Sequence, residues 1–130
     1  MSEVRSYRDL QVWQRGMDIA AATYELTRQY PKDELFGLTS QSRRAAGSIA
    51  ANIAEGYGRT SRSTYAHFLR ISQGSLKELE THLLLAERVG VAPPNSTTEL
   101  LSSTDELGRM LRGLISRVQI RPVDLSAPNS

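Results

Sequence analysis

The sequence predicts an all-α protein, an antiparallel up-down-up-down four-helix bundle over residues 8–121. Three observations point that way. Apolar residues recur every three or four positions in four separate stretches. Proline, glycine and small polar residues punctuate the gaps between them. No stretch alternates apolar and polar residues in the manner of a strand. At 130 residues the chain is long enough to bury about two-thirds of its unfolded surface, so a core can form although there is no cysteine to staple it. Residues 1–7 are expected to be a flexible N-terminus and 122–130 a disordered tail.

The first helix is expected over residues 8–29, stopped by Pro31. Leu10, Trp13, Met17, Ala20, Ala21 and Tyr24 form one apolar stripe. Val12, Ile19, Leu26 and Tyr30 form a second on nearly the opposite face. An outer helix of a single bundle needs only one such face, so the second stripe is expected at a subunit interface. The second helix, residues 39–55, is built from small residues, with Ser42, Ala45, Ala46, Ile49 and Ile53 on its inner side and Gly56 as its expected C-terminal cap. Gly47, Ala50, Ala51 and Ala54 extend a surface on which another helix can approach closely.

The third helix, residues 62–89, is long, about 40 Å at 1.5 Å per residue. Its core stripe is Tyr65, Leu69, Ser72, Leu76, Leu79, Leu83 and Ala86, with a weaker second face at Ile71, Leu85 and Val89 and a cap at Gly90. The loop VAPPNSTT follows, and Ser96 with Glu99 fits a capping box for the fourth helix, residues 97–120. Leu100, Thr104, Leu107, Leu111, Leu114 and Val118 form its stripe, and Pro122 stops it.

The formal net charge is +2, but basic and acidic residues fall in blocks. Arginine dominates, fourteen against two lysines, and its planar donor fork suits phosphate or carboxylate. The stretch from Arg43 to Arg70 carries five arginines and one acid, while Gln73 to Glu106 carries two bases and six acids. Such blocks either neutralise one another within the fold or leave an anion-binding surface. On the second helix Gln41, Arg44, Ser48, Asn52 and Glu55 stack into one polar strip, open to two roles: an internal hydrogen-bond network with Glu55 paired to an arginine, or a grip on phosphate or a partner chain. Arg43 lies on the small-residue side and must snorkel or pair. On the third helix Arg70, Lys77 and Arg88 share a face, close in sequence to Tyr57 and Arg59, an arrangement suited to a nucleic-acid backbone or to an ordinary solvated face.

Catalysis is poorly supplied. His67 and His82 are far apart on one helix, Glu78 and His82 alone have metal-ligand spacing, and the paired Glu-x-x-His of di-iron bundles is missing. The serines lack a nucleophile elbow, and Gly56-Tyr57-Gly58-Arg59 follows a helix, unlike a phosphate-binding loop after a strand. The expectation is a non-enzyme with no cofactor and no metal. With no apolar run of about 20 residues and no apolar leader in MSEVRSYRDL, a cytoplasmic protein without membrane contact is expected.

The blocks YRDLQVWQRGMDIA, YELTRQYPKDELFGLTSQSRRAAGSIAANIAEGYGRTS and FLRISQGSLKELETHLLLAERVG closely resemble the bacterial four-helix-bundle proteins encoded within intervening sequences of 23S rRNA genes, a family that includes the accessory variability proteins of diversity-generating retroelements. The resemblance covers Tyr7 to Gly90 strongly and the fourth helix by pattern. It implies an antiparallel bundle that assembles into a homopentameric barrel with a central channel. For retroelement-associated members it implies nucleic-acid binding through basic surface residues and a reverse-transcriptase partner. The ribosomal label sometimes given to the family comes from gene location. Three positions depart from the family pattern: Gly16 replaces a usual alanine, Ala50-Ala51 a usual Pro-Ser, and Thr64 the glutamate that completes a capping box with Ser61. The first expectation is therefore a self-assembling bundle that binds RNA or DNA without sequence specificity through Arg43, Arg44, Arg59, Arg62, Arg70, Lys77 and Arg88. The second is a self-assembling protein-interaction scaffold that does not touch nucleic acid.

Overall fold

The computed structural model of the chain describes residues 3–119. They form four α-helices, α1 Gln11–Thr27, α2 Ser40–Tyr57, α3 Arg62–Arg88 and α4 Thr98–Gln119, with no strand among the described residues. The tail expected at 122–130 lies outside them. α1 packs on α2, α2 on α3 and α3 on α4, and a looser contact between α1 and α4 closes the ring. Ile49, Ile53, Leu69, Leu76, Leu79, Leu83, Leu107 and Leu111 are wholly buried at its centre.

Several boundaries differ from expectation for local reasons. Ser6 and Asp9 form a reciprocal cap on a 3-10 turn, Tyr7–Asp9, and Leu10 is extended, so α1 starts at Gln11. Between α1 and α2 the chain makes a second 3-10 turn, Lys32–Glu34, and a π-helical turn, Leu35–Thr39, where Glu34 Oε1 accepts the Leu38 amide at 3.1 Å. Gly56 is not a cap. α2 runs past it to Tyr57, and Gly56 lets α3 approach: a Cβ there would lie 2.7 Å from Phe68 Cβ and 3.2 Å from the Tyr65 carbonyl oxygen. Ser61 caps α3 without a glutamate, accepting the Thr64 amide at 3.0 Å. The Ser96–Glu99 capping box does not form. Ser96 Oγ donates to the Pro93 carbonyl at 2.7 Å, and Thr97 stands before α4 with its amide and hydroxyl both donating to Glu87 at the end of α3.

The largest correction concerns α1. Val12, Ile19, Leu26 and Tyr30, expected between subunits, are buried in the chain's own core. A hydropathy pattern discounts the residues that lie between them on this face. Gly16 lies on the same face and brings α1 onto α2, its missing Cβ only 3.3 Å from Ala50 Cβ. Thr23 and Thr27 join the buried stripe because their hydroxyls bond to the Ile19 and Thr23 carbonyls, each at 2.8 Å, and so enter the core with their polar groups satisfied. Of the stripe expected inside, Leu10, Trp13 and Ala20 pack at the core margin, while Met17 and Tyr24 are 47% and 44% exposed.

Candidate nucleic-acid interface

The α3 sequence RISQGSLKELE places Arg70 and Lys77 seven residues apart, two turns along one face. α4 contributes Arg112 and Gly108 opposite them. Arg70, Gln73, Gly74, Leu76, Lys77, Gly108 and Arg112 line an open groove of about 280 Å³ between the two helices. Its two glycines supply no side chain to fill it, and no carboxylate is in its lining. Arg70 and Arg112 have no ion-pair partner among the described residues. Lys77 Nζ lies 3.2 Å from Glu80 Oε1, but the lysine is 67% exposed, and such pairs are worth little in water. The groove therefore presents three solvent-exposed cations, two of them without an ion-pair partner among the described residues.

The remaining sequence-chosen cations divide sharply. Arg43 is structural: its Nε donates to Thr27 Oγ1 at 2.8 Å and its guanidinium lies 4.5 Å from the Tyr24 ring centroid. Arg59 pairs with Glu55 and covers the Phe68 ring. Arg62 reaches 3.3 Å to the Val118 carbonyl at the end of α4, where a cation also complements the helix dipole. Arg44 and Arg88 are exposed and, among the described residues, unpaired.

The polar strip of α2 has exposed ends at Gln41, Arg44 and Glu55 and a half-buried middle at Ser48 and Asn52. Asn52 Nδ2 donates to the Ser48 carbonyl at 2.8 Å, Ser48 Oγ and Ser75 Oγ share a hydrogen at 2.8 Å, and Glu55 is held by Arg59. Tyr57 and Tyr65 meet edge to face at 6.0 Å, and burial, then the neighbouring Tyr57, raises the Tyr65 phenol above its ordinary pKa. Glu78 and His82 lie 3.5 Å apart, and among the described residues no group of three or more metal-binding side chains assembles around them.

The family model of the 23S rRNA-intervening sequence protein matches residues 8–113. The chain belongs to that family. A solved structure similar to it is the crystal structure of a protein of unknown function from the S23 ribosomal protein family of Bacteroides thetaiotaomicron VPI-5482, with a TM-score of 0.75 over 81% of this chain and 95% of that one. At 23% identity the likeness is one of fold. No curated protein matches the chain.

Helical spacing alone does not bring Arg112 into the groove. It lies in the run Arg109, Arg112, Arg117 and Arg121, beyond the blocks that carry the family resemblance. Only the register of α4 on α3 brings it to Arg70 and Lys77. That register could have been approached by folding the two helical stripes against each other about the VAPPNSTT loop, which sets Leu76 against Gly108, as observed. On the other side of α4 the lining is of opposite character. Asp18, Glu25 and Glu99 border a cavity of about 500 Å³ between α1 and α4, where Arg15 is tied to Glu106 at 2.7 Å. No helix among the described residues is long and apolar enough to cross a membrane.

Proposed function

We propose that this protein is a non-enzymatic, cytoplasmic, self-associating bundle that binds RNA or DNA without sequence specificity along the α3–α4 groove. The observation that carries the reading is the grouping of Arg70, Lys77 and Arg112 in a lining without a carboxylate. Exposed cations on rigid helices release counterions from a phosphate backbone and place no demand on base sequence. Arg88 extends the same helix face toward the end of α3. An antiparallel up-down-up-down order fits the contacts. Residues 16 and 27 of α1 meet 50 and 43 of α2, residues 49 and 56 of α2 meet 72 and 68 of α3, and residues 62 and 87 on α3 meet 118 and 97.

The test is binding of a labelled single-stranded oligonucleotide to the purified protein from about 50 to about 200 mM salt. Affinity that drops steeply with salt, and drops further in Arg70→Gln with Arg112→Gln, is the expected result. Salt-independent binding, or no binding at low salt, refutes it.

A scaffold without a nucleic-acid role is the second reading, and one observation favours it. Leu84, Leu85 and Val89 stand exposed near the end of α3, with Ile71 about four turns before Leu85. Self-association on such apolar surface, with the pentameric barrel and the reverse-transcriptase partner that the family resemblance implies, fits either reading. Light scattering on Leu85→Glu and Val89→Glu variants tests the surface: a mass unchanged from the parent removes it as the interface.

A further inference from the structure

A separate basic pocket lies between α1 and the start of α2. Tyr24, Leu35, Thr39, Ser40, Arg43 and Arg44 line about 320 Å³ of open space, again with no carboxylate in the lining. Arg43 is fixed before any ligand arrives. Its Nε is spent on Thr27, whose buried hydroxyl is itself bonded to the Thr23 carbonyl, and the guanidinium plane rests against Tyr24. Among the described residues neither its terminal nitrogens nor Arg44 beside it has a hydrogen-bond or ion-pair partner. Ser40 Oγ is engaged only by a long 3.3 Å bond to the Gly37 carbonyl, which a better acceptor would displace.

The geometry points to a binding site for a phosphomonoester, one terminal phosphate with an organic group attached. Two guanidinium groups in a lining that holds no carboxylate among the described residues overcompensate the single charge of a backbone diester but match a monoester, which carries about −1.5 to −2 near pH 7. Arginine forks and a hydroxyl suit the three terminal oxygens of one phosphate. Because Arg43 is already ordered, less side-chain entropy is lost on binding. Leu35 in the lining, and Phe36 next to it in sequence and 90% exposed, offer apolar surface to the attached sugar or base. The chemistry occurs at the 5′ end of a nucleic-acid strand and on a free mononucleotide. The site does not depend on the α3–α4 groove and shares no residue with it.

The experiment compares two matched pairs of probes on the full chain: an oligonucleotide with a 5′-phosphate against its 5′-hydroxyl form, and adenosine monophosphate against adenosine. The phosphate-bearing member of at least one pair is expected to bind about tenfold or more tightly, the scale of one or two charge-assisted pairs. Arg44→Gln, at an exposed position, should abolish the preference, and Arg109→Gln, which lines neither site, should preserve it. A preference in the oligonucleotide pair assigns strand ends as the ligand, and one confined to the nucleotide pair assigns free nucleotides. Equal affinity within both pairs overturns the proposal, as does a preference that survives Arg44→Gln.

Discussion

A methyl group at Gly56 would meet Phe68 Cβ at 2.7 Å and the Tyr65 carbonyl at 3.2 Å, atoms fixed to the backbone of α3 that no rotamer change can move. Alanine gains about 1 kcal/mol of helix propensity over glycine, but forced overpacking costs about 1–3 kcal/mol. The clash wins, and Gly56→Ala should lower stability in urea unfolding. At Gly47, also inside α2, a Cβ would meet nothing within 4 Å, so Gly47→Ala should raise stability by about 0.5–1 kcal/mol. Opposite signs on one helix separate close approach from propensity. The same logic separates two buried serines. Ser72 Oγ donates to the Ile49 carbonyl at 2.9 Å, whereas Ser42 Oγ is buried without a hydrogen-bond partner among the described residues. Ser72→Ala should cost about 1 kcal/mol, and Ser42→Ala should cost nothing or stabilise. Equal losses in the two variants would show that Ser42 is satisfied after all.

Among elements, the stripes of α2, α3 and α4 are legible in the sequence because leucine, isoleucine and alanine at steps of three and four dominate their inner positions, with Ser42, Ser72 and Thr104 as single interruptions. α1 was not, because its inner face combines Gly16, Thr23 and Thr27 with Val12, Ile19 and Leu26, and a hydropathy pattern discounts the first three. The Leu35–Thr39 turn was equally hidden, since its cap is a side chain, Glu34, reaching forward four residues. Of the site, Arg70 and Lys77 were readable from spacing, while Arg112 and the structural duties of Arg43, Arg59 and Arg62 depend on which helices touch. The α3–α4 connection hides a further dependence, on pH. Thr97's hydroxyl bond, aided by backbone bonds from Thr97 and Asn95, holds the Glu87 carboxyl below its ordinary pKa against the opposing effect of desolvation. A carboxylate depressed in the folded state contributes stability above its unfolded pKa and loses it as pH falls through the folded value. Acid titration of stability should therefore be shallower in Glu87→Gln than in the parent below the ordinary carboxylate range. Parallel curves would remove Glu87 as a pH-sensitive pin of this loop.

At the scale of the whole molecule, a formal charge of +2 conceals a division along α4, with Arg70, Lys77 and Arg112 on its α3 side and Asp18, Glu25 and Glu99 on its α1 side. Net charge is thus a poor guide to how strongly one face attracts a polyanion, because salt screens charges separated by more than about 8–10 Å and each groove acts nearly alone. The salt dependence of binding counts the phosphates a face neutralises, with a slope in log–log form of about −0.7 for each on single strands and about −0.9 on duplex. Replacing Arg70 and Arg112 together by glutamine should flatten that slope by about 1.4 on single strands and about 1.8 on duplex. Arg109→Gln is the control, since Arg109 is paired with Asp105 on its own helix and does not line the groove. It removes the same formal charge as either single variant and should leave the slope unchanged. If Arg109→Gln flattens the slope as much as Arg70→Gln does, the attraction comes from the protein's overall charge, and the α3–α4 groove is not the place where the phosphate backbone lies.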